Sequence, residues 1–191
     1  SERKDFFHIP PLIIPPDIEA YKEAARETDV FSEFRTKITN FSPDLIAMGG
    51  VEDSHELMIN LLDSIVDLDI PVLIGGMFPT LAPEIFLAHP KCDIVCVGEG
   101  ESPFVELCQH IEEGKPFDHI LNLWVKKPNG EIVKNKMRSA EDVNAVPMQD
   151  FSLLSKAYFY RPMNRKMYRM FPIETHRGCP YRCSFCNSPV Q

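Results

Sequence analysis

Three short apolar runs, each closed by glycine and each followed by a segment of helical spacing, restrict this chain more than any other feature. They are "DLIAMGG" at 44–50, "IPVLIGG" at 70–76 and "CDIVCVGEGE" at 92–101. Strands buried on both faces read as unbroken apolar runs, whereas a strand with one wet face alternates. Run, glycine turn and helix, repeated, describes an α/β parallel sheet with helices packed on both faces. Parallel strands are expected near 44–49, 71–75 and 93–97, with helices near 54–68 and 102–113. Ligands of such sheets bind beyond the carboxyl ends of the strands. Those ends carry Gly49-Gly50, Gly75-Gly76 and Gly98-Glu99-Gly100-Glu101.

The helical segments supply the covering faces. Met58, Leu61, Leu62, Ile65 and Leu68 share one face, and Asp53 with Glu56 has the spacing of a capping box. "APEIFLAHP" adds a short helix opened by Pro83. Ser102 is placed to cap the next helix, Pro103 fits its first position, and Phe104, Leu107, Cys108 and Ile111 form its buried face. Upstream, Phe31, Phe34, Ile38 and Phe41 keep helical spacing until Ser42-Pro43, where the residue before proline leaves the helical region. Residues 1–20 contain two Pro-Pro pairs and read as an irregular lead-in.

After Gly114 the period changes. "ILNLWVKKPNGEIVKN" is a hairpin turning at Asn129-Gly130. Residues 137–169 read as a linker with short helical pieces, and "FPIETHRGC" as a strand running into a cysteine loop.

A formal net charge of -8 gives no general attraction to nucleic acid or an anionic membrane. The basic stretches "KKPNGEIVKNKMR" and "YRPMNRKMYR" read as solvated hairpin and linker surface. No apolar run approaches the ~20 residues of a spanning helix, and the proline-rich start does not resemble a signal peptide. Cys92, Cys96 and Cys108 lie in apolar segments, where buried free thiols are common. A reducing, cytoplasmic setting is expected.

The remaining cysteines differ. Cys179, Cys183 and Cys186 fall in a polar loop with Arg177, Pro180, Arg182 and Asn187. Three thiolates so close can surround one metal centre. Structural zinc needs a fourth ligand, for which His176 is near. A [4Fe–4S] cluster held by three cysteines keeps one iron open for another ligand.

Cys179-x-x-x-Cys183-x-Phe185-Cys186, preceded by "THRGCPYRC", resembles the cluster motif of the radical S-adenosylmethionine (radical SAM) superfamily. The order of "SPDLIAMGG", "IPVLIGGMFPT", "CDIVCVGEGE", the "PNGEIV" hairpin and "SAEDVNAVPMQDF" is similar to that of its cobalamin-binding class, which includes Mg-protoporphyrin ester cyclase-like proteins and methyltransferases. The resemblance implies a Rossmann-like (flavodoxin-like) cobalamin-binding domain over 1–117, a hairpin and linker over 118–170, and the first strand of a radical SAM barrel, truncated, over 171–191. It implies cluster ligands Cys179, Cys183 and Cys186, with Phe185 beside the adenine of SAM. It places Gly75, Gly76, Pro79, Thr80, Gly98, Glu99 and Gly100 along the cobalamin edge, where glycine lets the backbone approach a flat ligand. It further implies a small-molecule substrate and an electron donor such as flavodoxin or ferredoxin. The reaction would be radical chemistry such as methyl transfer.

Two positions depart from the family's wording. Phe78 stands where a "GGxHPT" loop often has histidine, and Asp53-Ser54-His55 begins a D-x-H-x-x-G motif that Met58 interrupts. His55 is therefore expected as a helix-start residue rather than a cobalt ligand. No residue stands out as a catalytic acid or base. A non-catalytic cobalamin-binding or scaffold domain, and a zinc-stapled structural protein, are the other function classes that the sequence leaves open.

Overall fold

A computed structural model of the chain describes residues 29–154, 156–164, 166–174 and 177–186. The expected lead-in at 1–20, the helical segment before Asp29, His176 and Asn187 lie outside these residues. The chain divides into two compact units, one spanning 29–146 and the other including 147–186.

In the first unit, α1 (Val30–Phe41) is opened by Asp29, whose carboxylate accepts the backbone N–H of Phe31 at 3.1 Å and of Ser32 at 3.3 Å. It ends where Ser42, before Pro43, turns left-handed at φ 50°. Strand β1 (Ile46–Gly49) leads to α2 (His55–Asp63). The expected Asp53–Glu56 capping box does not form. The Ser54 hydroxyl instead accepts from the Val51 N–H at 3.0 Å and donates to the Val51 carbonyl at 2.8 Å, closing a 3₁₀ turn over Glu52–Ser54. Strand β2 (Val72–Gly75) is followed by α3 (Met77–Leu81) and α4 (Pro83–Leu87), with Pro83 in the first turn as expected. Strand β3 (Ile94–Cys96) leads to α5 (Glu101–Glu112). This last helix starts one residue before Ser102 without a side-chain cap, so neither Ser102 nor Pro103 takes its expected place.

Strands β1, β2 and β3 pair in parallel, with Ile46 beside Val72 and Leu73 beside Ile94. The hairpin, β4 (Leu123–Lys126) and β5 (Ile132–Lys134), continues the same sheet rather than standing with the linker. β4 is antiparallel to both β3 and β5, giving the order β1-β2-β3-β4-β5. Gly130, at φ 83°, makes the turn.

Alternate strand residues feed two cores. Val72, Ile74, Val95 and Val97 join Ile38, Met58, Leu62, Ile65 and Phe86 on one face. Leu73, Ile94, Cys96, Leu123 and Val125 join Leu107 and Ile120 on the other. Burial of both faces explains the unbroken apolar runs of β2 and β3, whereas β1, at the edge of the sheet, exposes Ala47 and Gly49. The buried face of α5 is narrower than its spacing suggested: Leu107 and Pro103 are buried, Ile111 is half-buried, and Phe104 and Cys108 are exposed.

The second unit contains 3₁₀ turns at Phe151–Leu153 and Lys156–Phe159, then an antiparallel pair, β6 (Tyr160–Met163) and β7 (Lys166–Arg169). Buried Phe159 stacks against Phe171, with ring centroids 4.7 Å apart. The strand expected from Phe171 is not present over residues 171–174 or 177–179. Phe171 spends its ring on Phe159, and Ile173 is exposed with no ladder partner to hold it extended.

Candidate functional site

The carboxyl ends of β1, β2 and β3 lie at one edge of the sheet, because the three strands are parallel. β5 is reversed twice relative to β3, so its carboxyl end returns to that same edge. The loops there belong to 50–54, 76–82, 97–100 and 135–141.

The glycines of this edge have two distinct roles. A Cβ added at Gly49 would meet no atom within 4 Å, and at Gly75 or Gly100 only Cys96 atoms at 3.6 and 3.9 Å. These stretches of backbone are bare. Gly76 is different. Its φ is 105°, and a Cβ there would lie 2.7 Å from the Gly50 carbonyl oxygen. The fold itself demands glycine at that point, before any ligand is considered. Gly98, at φ 88°, is already covered: a Cβ would stand 3.2 Å from the Asn122 amide nitrogen and 3.3 Å from the Met137 sulfur.

The other expected edge residues bind the loops to one another. Pro79 is buried in the core. The Thr80 hydroxyl donates to the Gly76 carbonyl at 2.8 Å and accepts the Gly98 N–H at 3.0 Å, joining the loops after β2 and β3. The Glu99 carboxylate accepts the Glu141 N–H at 2.5 Å, fastening the segment that follows β5. Gly100 precedes α5 and accepts from the Phe104 N–H through its carbonyl at 2.9 Å. Val51, Met77, Leu81 and Met137 expose apolar side chains from three of these loops.

Asn122, which sequence reasoning missed, is the most connected residue of the edge. It is 4% exposed and left-handed at φ 71°. Its amide donates to the Val97 carbonyl at 2.8 Å and the Glu99 carbonyl at 3.3 Å, while its side-chain oxygen accepts the Arg138 N–H at 2.8 Å. A single asparagine inside "ILNLW" gives no sign of partners at 97, 99 and 138.

His55 starts α2, as expected. Its ring meets Phe78 and Phe86 edge to face, at centroid distances of 5.4 and 5.5 Å, and its Nε2 is buried without a hydrogen-bond partner. Phe78 thus packs into the aromatic core. Burial pushes the Cys96 thiol up to about 11 and the Cys92 thiol up to about 12, so both are held as neutral thiols. A recess of about 490 Å³, lined by Lys91, Asp93, Phe117 and Lys126 among others, opens at the amino-terminal ends of β2 and β3, away from this edge.

In the cysteine loop, Cys179 and Cys183 are exposed, Cys186 is half-buried and Phe185 is 89% exposed. The Cys186 N–H donates to the Cys183 carbonyl at 3.1 Å. Among the described residues no three side chains of metal-binding type converge. The donor set is nonetheless three thiols in a short accessible turn, chemistry that suits iron and sulfide.

Residues 18–108 match the B12 binding domain family. That stretch, just under half of the chain, resembles a B12 binding domain. Curated relatives extend the similarity beyond it. The chain is 28% identical over 168 residues to an uncharacterized methyltransferase of Pyrococcus horikoshii, covering 84% of this chain and 35% of that protein. It is 26% identical over 164 residues to the anaerobic magnesium-protoporphyrin IX monomethyl ester cyclase of Rubrivivax gelatinosus, covering 81% and 29%. It is 30% identical over 119 residues to the bacteriochlorophyllide d C-12(1)-methyltransferase of Chlorobaculum tepidum, covering 62% and 22%. The chain thus spans about a third or less of the length of these relatives.

The fold is shared with solved structures. The radical S-adenosylmethionine methyltransferase TsrM of Kitasatospora setae, with cobalamin and a [4Fe-4S] cluster bound, matches at TM-score 0.60 and 21% identity over 86% of this chain and 34% of that one. OxsB, a cobalamin-dependent S-adenosylmethionine radical enzyme with aqua-cobalamin bound, matches at TM-score 0.51 and 20% identity over 58% and 16%. No helix among the described residues is long and apolar enough to cross a membrane.

Proposed function

We propose that this chain is the cobalamin-binding front of a radical SAM enzyme. Cobalamin would lie on the carboxyl edge of the sheet, and Cys179, Cys183 and Cys186 would hold the cluster. The observation that carries the reading is the bare backbone at Gly49, Gly75 and Gly100 beside exposed Val51, Met77 and Leu81. A broad, flat macrocycle needs such an edge, because backbone without side chains allows close approach and apolar neighbours displace water. Thr80 holds two of the loops at a fixed separation, so the ligand meets a formed surface.

Bound cobalamin would supply a cobalt centre able to carry a methyl group, and the cluster would supply the electron that cleaves SAM. The part of this chain is to bind and orient. The His55 ring packs edge to face on Phe78 and Phe86 with its Nε2 buried, which sets that nitrogen apart from a ligand beyond the loop after β1. Phe185 projects into solvent between two candidate ligands, a position from which an aromatic face is available to adenine. The radical step, its small-molecule substrate and an electron donor such as flavodoxin or ferredoxin belong to the same proposal.

Two titrations test it. Hydroxocobalamin added to the chain should change the cobalamin absorbance saturably and quench Trp124, the single tryptophan. Anaerobic iron and sulfide added to the natural protein should give a broad visible band that Cys183→Ala removes. Absence of cobalamin binding rejects the first half; an unchanged iron content in Cys183→Ala rejects the second.

A further inference from the structure

The segment after β5 is fixed across the ligand edge by bonds that no cofactor is needed to explain. The Asn122 N–H donates to the Lys136 carbonyl at 2.9 Å, and its side-chain oxygen receives the Arg138 N–H. The Asn135 amide donates to the carbonyls of Asp118 at 2.9 Å and Leu123 at 2.7 Å. Arg138 pairs with Glu106 of α5, and the Glu141 N–H is held by Glu99. Four of seven consecutive residues, from Asn135 to Glu141, are thus anchored by side chain or backbone. Met137 lies among them with 52% of its surface exposed, its sulfur directly over Gly98.

This arrangement alters which atoms a ligand at the end of β3 can touch. Gly98 is the first glycine of "VGEGE", yet Asn122 and Met137 occupy the space in front of it. A ligand arriving there meets the Met137 thioether before it meets the Gly98 backbone. Methionine is apolar, polarisable and unbranched, and adapts its surface to a ring of uneven contour.

Resting on the cobalamin reading, we propose that residues 135–141 form a fixed wall of the corrinoid site, with Met137 as its ligand-facing side chain and Asn122 as the residue that positions it. The wall comes from the segment after the hairpin, outside the residues 18–108 that match the B12 binding domain family.

The test uses the whole chain and hydroxocobalamin. Wild type, Met137→Leu and Met137→Glu are titrated by absorbance, with thermal midpoints measured beside each titration. Met137→Leu should bind within about twofold of wild type, and Met137→Glu at least about tenfold more weakly, ~1.4 kcal/mol, with an unchanged midpoint. As a second measurement, mild peroxide oxidation is followed by mass spectrometry. Saturating hydroxocobalamin should slow sulfoxide formation at Met137 and leave Met148, 91% exposed, unprotected. Wild-type binding with equal affinity in Met137→Glu, or with no protection of Met137, overturns the wall and leaves the cobalamin site standing. No binding by wild type overturns both.

Discussion

Gly76→Ala is the sharpest perturbation of this edge, because the structure predicts a loss of folding energy there whether or not a ligand is bound. Gly76 has φ 105° and ψ -171°, a backbone region open essentially to glycine alone. Forcing alanine into it costs about 1–3 kcal/mol. The new Cβ would also stand 2.7 Å from the Gly50 oxygen and 3.0 Å from the Gly50 nitrogen. Both are backbone atoms fixed by the bond from the Gly50 N–H to the Gly75 carbonyl at 3.0 Å, so they cannot move aside as a flexible side chain would. Overpacking of that kind adds about 1–3 kcal/mol. The sum, about 2–6 kcal/mol, is a large part of the ~5–15 kcal/mol that holds a domain folded. Gly49→Ala is the matched control: no atom lies within 4 Å of its new Cβ and its φ is unexceptional. Urea unfolding followed through Trp124, which lies in the same unit, should show Gly76→Ala destabilised by at least about 2 kcal/mol and Gly49→Ala changed by no more than about 0.5 kcal/mol. Equal stability of Gly76→Ala and wild type would refute the reasoning.

Three further outcomes are expected. Thr80→Val keeps the side chain's shape but leaves the Gly98 N–H without its acceptor, so it should cost about 1–3 kcal/mol in urea unfolding while Thr80→Ser stays close to wild type; a neutral Thr80→Val would mean that the clasp between loops contributes nothing. Asn122→Gly keeps the left-handed angle available but removes three side-chain hydrogen bonds, and should lower stability by about 2–3 kcal/mol; glycine as stable as asparagine would show that φ 71°, not bonding, selects this residue. Burial raises the Cys92 and Cys96 pKa values above the ordinary 9.0, so their contribution to stability is whole below that pH and is lost as pH rises towards about 11 and 12; the reduced chain should weaken steadily above pH 9.0 in urea unfolding, and iodoacetamide at neutral pH should modify Cys179 well before either buried thiol.

Much of the α/β unit was legible because its determinants are local. Unbroken apolar runs located β1 to β3, and Asn129-Gly130 located the hairpin, since each signal sits within the element it specifies. That the hairpin extends the sheet was not legible: it depends on β4 finding β3 across the whole of α5. The cap of α2 was misassigned because Ser54 reaches Val51 before Asp53 or Glu56 is needed. The antiparallel pair β6–β7 was hidden by Pro162 and a high density of charge, although Asn164, left-handed at φ 50°, is a suitable turn residue. At the candidate site the glycine positions were readable and their reasons were not. Gly76 answers to Gly50, and Gly98 to Asn122 and Met137, contacts that only the folded chain assembles.

The double reversal of β4 and β5 makes the hairpin a measuring arm. Its two strands carry the chain away from the ligand edge and back again, and the place where residues 135–141 land is set by the lengths of those strands. Residues inserted at Asn129-Gly130, far from the edge, would enlarge only the exposed tip. Two residues inserted within β5 would preserve which side chains face each core, since strand periodicity is two, yet carry Met137 about 7 Å past Gly98. Proteins of this architecture therefore have a simple means of reshaping one side of the strand-end edge by even-numbered changes in a strand, leaving every glycine loop untouched.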